Sequence, residues 1–138
     1  MWRILMVDDD VLISRTVQFW LAKQRHVVVI AASATDAVER LRHDHFDLML
    51  VDIFMPHMDG FDSVRLFHRK APDVPLIALS GYAFAESHSS APDFLRMALA
   101  LGATRCIRKP FKPRDLLGII ENCLAVIAPT APSSLEQA

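Results

Sequence analysis

The sequence predicts an α/β fold, a five-stranded parallel sheet doubly wound with helices on both faces. Two patterns carry that prediction. Short apolar runs alternate with longer amphipathic segments along the whole chain, and the strand-like runs stop on polar or charged residues. With 138 residues, 52% of them hydrophobic, the chain is about one domain long and can fill a core that covers both faces of a sheet.

The first run, Ile4 to Val7, ends on Asp8 and Asp9. Behind it Ile13, Val17, Trp20 and Leu21 recur at helical spacing and share one buried face. The second run, Val27 to Ala31, leads through Ser33, an N-cap with Asp36 three residues on, into a helix carrying Ala37, Val38 and Leu41. The third run, Leu48 to Val51, stops at Asp52. Pro56 to Gly60 then has turn chemistry and precedes a helix from about Phe61 to Lys70. Pro72 and Pro75 bracket the connection to the fourth run, Leu76 to Leu79, which ends at Ser80. Gly81 opens a polar loop through Ser90. A fourth helix is expected from near Pro92, with Gly102 as its C-cap. Arg105 to Arg108 forms the fifth strand, with Lys109 and Pro110 at its end, and a last helix runs from about Pro113 to Ile127. The expected domain is residues 1–127, and the Pro-, Ser- and Ala-rich stretch 128–138 is expected to be a disordered tail. There is no internal repeat.

A net charge of −1 with scattered Lys and Arg leaves no basic stripe to track a duplex, so direct nucleic-acid binding is not expected. Cys106 and Cys123 stand in no metal-ligand or disulfide spacing and read as buried free thiols. The six histidines, His26, His43, His45, His57, His68 and His88, show no ligand spacing and read as surface or turn residues. No stretch approaches the roughly 20 apolar residues of a membrane span, and the N-terminus lacks a secretory pattern. A cytoplasmic protein is expected.

Ligands of an open parallel sheet sit at the carboxyl ends of its strands. Those ends carry Asp8, Asp9, Asp52, Ser80 and Lys109. Three carboxylates gathered at one edge repel one another unless a cation joins them, and Mg2+, small and hard, suits one or two carboxylates plus waters and a phosphate oxygen. Asp52 could then act as a nucleophile toward phosphorus and become an acyl phosphate. The Lys109 ammonium and the Ser80 hydroxyl would neutralise and orient the transferring oxygens.

Over roughly Arg3 to Leu124 the chain resembles the receiver domains of two-component response regulators, the CheY-like domains. The resemblance rests on Ile4-Leu5-Met6-Val7-Asp8-Asp9, Asp47-Leu48-Met49-Leu50-Val51-Asp52, Met55-Pro56 with Met58-Asp59-Gly60, Leu79-Ser80-Gly81, and Gly102-Ala103 with Lys109-Pro110-Phe111. It implies a flavodoxin-like sheet in order 2-1-3-4-5. It also implies Asp52 as phosphoacceptor, Asp9 as direct Mg2+ ligand, Asp8 acting largely through water, and the Phe54 backbone carbonyl completing the metal site. Ser80 and Lys109 would meet the phosphoryl group, and the Lys109-Pro110 bond would be cis. The implied donor is a histidine kinase or histidine phosphotransfer protein, and the implied output is a partner-binding face made of the fourth helix, fifth strand and fifth helix. A stand-alone signalling protein rather than an enzyme, monomeric or weakly dimeric, is expected. The message would leave through a downstream protein or by onward transfer of the phosphoryl group.

Two departures stand out. The fifth strand of such domains usually carries a Tyr or Phe where this chain has Cys106. Ser80-Gly81-Tyr82 resembles the turn of a minority subgroup without that aromatic, so Tyr82 is expected to take over its reporting role. The stretch between Ser80 and Lys109 is also longer than usual, with the excess in 83–91. Phe54 and Tyr82, flanking the path of an attacking water, are expected to slow hydrolysis of the acyl phosphate. The rival reading is a small aspartyl-phosphate hydrolase of the haloacid-dehalogenase type, with Asp8 as nucleophile and Asp10 as acid/base. That family expects Thr or Val where Leu12 stands, an acidic pair after the Lys where only Asp115 lies, and usually a cap domain. A degenerate receiver that only binds protein is disfavoured because all five site positions are filled.

Overall fold

A computed structural model describes residues 1–53, 60–80 and 91–127. Five strands, β1 (Arg3–Val7), β2 (Val27–Ala31), β3 (Leu48–Asp52), β4 (Leu76–Ser80) and β5 (Arg105–Arg108), form one parallel sheet in the order β2-β1-β3-β4-β5. The helices are α1 (Val11–Lys23), α2 (Ala34–His43), α3 (Gly60–Lys70), α4 (Ala91–Ala100) and α5 (Pro113–Ile127). The expected α/β class and the strand order are those observed. The third and fourth helices begin one residue earlier than expected, at Gly60 and Ala91. β3 and β4 include Asp52 and Ser80 themselves as their last residues.

Alternation along each central strand divides the core in two. Leu5, Val7, Met49, Val51, Leu76 and Ala78 face the side covered by α2, α3 and α4, against Ala37, Val64, Phe67 and Ala98. Ile4, Met6, Leu48, Leu50, Ile77 and Leu79 face α1 and α5, against Val17, Leu21, Leu116, Ile120 and Leu124. All of β3 and β4 is buried, which is why those runs are apolar without a polar face. At about 25 cal/mol per Å2 of apolar surface removed from water, each fully covered Leu or Ile contributes about 2 kcal/mol. Seven such side chains on the central strands, Ile4, Leu5, Leu48, Leu50, Leu76, Ile77 and Leu79, therefore supply a large share of the driving force.

Local signals act as expected. Ser33 caps α2, its hydroxyl accepting from the Asp36 N–H at 3.1 Å. After α1, Arg25 takes a left-handed conformation (φ 67°) and the His26 N–H donates to the Leu21 carbonyl at 3.0 Å. That closure delivers His26 onto Trp2, with ring centroids 4.7 Å apart and planes 13° from parallel. His26 is thus half-buried in a stack, not a plain surface residue. Cys123 is buried as expected, but Cys106 is only half-buried, because β5 is an edge strand with a neighbour on one side alone. Neither thiol forms a disulfide. No helix among the described residues is long and apolar enough to cross a membrane.

Candidate functional site

Strand register explains how residues far apart in sequence arrive together. Val7 of β1 lies beside Val51 of β3, so the next residues, Asp8 and Asp52, emerge level at the carboxyl edge. Asp52 pairs with Leu79, one residue before Ser80, and Ser80 pairs with Arg108, one residue before Lys109. The Lys109 N–H donates to the Ser80 carbonyl at 2.8 Å, which ties the end of β5 to the end of β4.

Asp8, Asp9 and Asp52 each offer a carboxylate oxygen, all within 4.8 Å of one another. Asp8 is fully buried and Asp52 nearly so, at 4% exposure, whereas Asp9 is exposed. Lys109 Nζ stands 2.7 Å from Asp8 Oδ2 and 3.4 Å from Asp52 Oδ2. These four groups together carry a net charge of −2, two of the carboxylates being out of water. Two oxygens held by one Mg2+ lie at most about 4.2 Å apart, so a small closure of this cluster suffices to share a divalent ion. The all-oxygen, acidic donor set fits such an ion, with Asp9 on the solvent side.

Asp8 is held from behind. Its Oδ1 accepts from the Asp10 backbone N–H at 2.9 Å, and the buried Ser14 turns its hydroxyl toward the Asp8 carbonyl at 3.4 Å. The Asp10 side chain caps α1, its Oδ1 accepting from the N–H groups of Leu12 and Ile13 at 3.0 and 3.2 Å. The backbone link from Asp10 to Asp8 has no signal in the sequence. Ser80 is buried at the end of β4 beside Asp52's strand. The Lys109-Pro110 bond is cis, as the resemblance implies. Cys106 packs on β5 against the α2, α3 and α4 side of the core, opposite Ala78. Burial pushes its thiol up to about 11, so it is protonated and uncharged at neutral pH. Phe54, Tyr82, His57 and the 83–90 part of the lengthened loop lie outside the described residues, as does 128–138.

Just past the acidic cluster, α1 leaves apolar side chains in solvent. Val11 is 54% exposed, Leu12 76% and Phe19 61%.

Known proteins resemble this chain in sequence and fold. The SaeR response regulator of Staphylococcus aureus (strain USA300) is 34% identical over 124 residues, which are 90% of this chain and 51% of the relative. The chain thus spans about half the length of the curated relatives it matches. A CheY-like receiver domain protein from Methanospirillum hungatei JF-1 superposes with a TM-score of 0.81 at 32% identity, over 92% of this chain and 96% of that one. The chemotaxis response regulator CheY4 of Vibrio cholerae does so with a TM-score of 0.77 at 27% identity, over 89% and 98%. The family model of the response regulator receiver domain matches residues 4–121. Sequence and fold agree, and the chain belongs to the response regulator receiver domains of two-component signalling, a family of phosphoryl acceptors.

Proposed function

We propose that Asp52 accepts a phosphoryl group from a phosphohistidine of a sensor histidine kinase or histidine phosphotransfer protein, in a Mg2+-dependent reaction. The observation that carries this is the meeting of Asp52 with Asp8, Asp9 and Lys109 at one sheet edge. In the transfer, an Asp52 carboxylate oxygen bonds to phosphorus while the phosphorus–nitrogen bond of the donor breaks, and the donor imidazole keeps the electron pair and takes up a proton. Asp9 would hold the ion directly, Asp8 largely through water, and Asp52 and the Phe54 carbonyl would complete its protein ligands. When bound there, Mg2+ supplies positive charge to the equatorial phosphoryl oxygens. Lys109, already at 3.4 Å from Asp52, pairs with a phosphoryl oxygen, and Ser80 donates its hydroxyl to another.

The new phosphate adds about −1.5 to −2 charges at this edge. Drawing Ser80 and Lys109 inward would bias the face made of α4, β5 and α5, and that face selects the downstream partner or passes the phosphoryl group onward. With Cys106 on β5, we assign the reporting role to Tyr82. If Tyr82→Ala left the phosphorylation-induced change in partner affinity unaltered, that assignment would be wrong. Residues 1–127 form the switching domain of a cytoplasmic signalling protein in this reading.

The test is phosphorylation with acetyl phosphate, or mimicry with beryllofluoride, in the presence of Mg2+. Wild type is expected to take up one acid-stable, base-labile phosphoryl group, Asp52→Asn none, and Asp8→Asn much less. Steady turnover of a phosphate ester that depends on Asp8 would favour the hydrolase reading instead.

A further inference from the structure

Asp10 has no part in the phosphoryl chemistry above, yet it makes the contact that orients Asp8. It is not among the three carboxylates that share the cluster. Its backbone N–H donates to Asp8 Oδ1 at 2.9 Å, which leaves Asp8 Oδ2 as the oxygen that meets Lys109 at 2.7 Å. The direction of that N–H depends on the conformation of Asp10, extended at φ −84° and ψ 101°. Three hydrogen bonds hold that conformation. The side-chain Oδ1 accepts from Leu12 and Ile13, and the carbonyl accepts from the Ser14 N–H at 3.0 Å.

We propose that Asp10 is a positioning residue for the cation site: by capping α1 it fixes its own amide against Asp8 and presents one defined Asp8 oxygen to the site. This rests on the reading of Asp8 as a carboxylate of the Mg2+ site. A carboxylate anchored at one oxygen cannot rotate or exchange its two oxygens, and such support of metal-site carboxylates sets affinity. Geometry, not charge, is what Asp10 contributes in this proposal, because its Oδ1 is held by the helix N–H groups and the contact to Asp8 comes from its backbone amide. A neutral side chain that accepts the same N–H groups therefore serves as well.

The test is Mg2+ binding by the full chain, followed by calorimetry and by backbone amide NMR, at a temperature below each variant's unfolding transition. Asp10→Ala is expected to weaken Mg2+ binding by about tenfold, and Asp10→Asn and Asp10→Ser to restore it to within about threefold of wild type. The amide proton of residue 10, shifted downfield by its bond to Asp8, moves upfield in the Ala variant and stays in the Asn variant. Asp10→Gly, which helices accept at this position, is expected to lose Mg2+ affinity through backbone freedom while remaining folded. Unchanged affinity in the Ala and Gly variants would overturn the proposal. So would an Asn variant as weak as Ala, since that would make charge the operative property. A wild-type protein that binds no Mg2+ would instead overturn the reading of Asp8 itself, a result distinct from either.

Discussion

Lys109 meets Asp8, 101 residues earlier in the chain, at 2.7 Å, closer than it comes to Asp52. Both side chains are largely out of water, with 12% and 0% exposure. The ammonium thus already neutralises one of the carboxylates that a cation would bind. Breaking a buried pair by removing one partner typically costs about 3–5 kcal/mol, because the other charge stays buried. Lys109→Met is expected to lose about 3 kcal/mol of stability without divalent ions. Mg2+ should raise its melting temperature by more than it raises that of wild type, since binding to the folded state stabilises it in proportion to affinity. Equal Mg2+ shifts in thermal melts of the two proteins would mean that ammonium and cation do not share Asp8.

A phosphohistidine donor must approach the carboxyl edge of the sheet, and beside it α1 exposes the apolar Val11 and Leu12. Leu12, 76% exposed, is the second residue of α1, directly behind Asp10. Leu12→Asp is expected to slow transfer from a phosphorylated partner protein about tenfold or more, the size of effect seen when a central apolar contact is lost. It should leave phosphorylation by acetyl phosphate near the wild-type rate, because a small donor needs no docking surface. A parallel fall in both rates would place the defect in the acidic site and not in docking.

The strands, their limits and the acidic edge were legible because each depends on local pattern: an apolar run, a turn residue, a carboxylate at the run's end. Pairing of Lys109 with Asp8 was not, since it joins the last strand end to the first and depends on strand order, which periodicity does not encode. Asp10 shows the same limit on a smaller scale. An Asp before a helix fits a cap as well as an acid/base in sequence, and only the bonds to Leu12 and Ile13 show it acting as a cap. His26 reads in sequence as a surface or turn residue; it follows the turn after α1 and is half-buried. Its stack on Trp2 needs the pairing of β1 with β2, again a matter of topology.

Gly102, expected as a C-cap, does more than end α4. It stands at φ +124°, and a Cβ built there would lie 2.5 Å from His68 Cγ on α3. The turn between α4 and β5 is therefore pressed onto α3. Gly102→Ala is expected to cost about 2–4 kcal/mol, part from the left-handed backbone and part from overpacking. In urea unfolding, a second substitution, His68→Ala, should recover only some of the overpacking part, since the Cβ of residue 68 would still lie 2.9 Å from the new one. Full recovery in the double variant would mean that the backbone conformation carries no strain.

Trp2 donates its backbone N–H to His26 Nδ1 at 3.1 Å, so this imidazole is held with Nδ1 unprotonated. Burial lowers the His26 pKa from its ordinary 6.5, the N-terminal ammonium lowers it further, and Glu121 opposes the change. A base with a depressed folded-state pKa binds its proton more readily in the unfolded chain. Its contribution to stability is complete above pH 6.5 and is lost as pH falls from there through the lower folded value. Protonation also places an N–H on Nδ1 facing the Trp2 N–H, which ends the bond between the start of β1 and the turn before β2. His26→Phe can keep the ring stack but cannot titrate. Wild type is expected to lose stability in chemical denaturation as pH is lowered through this window by more than the Phe variant does, and imidazole NMR should report a His26 pKa below 6.5. An ordinary or raised pKa, or identical pH profiles for the two proteins, would show that the Trp2–His26 contact is too loose to discriminate between the neutral and charged ring.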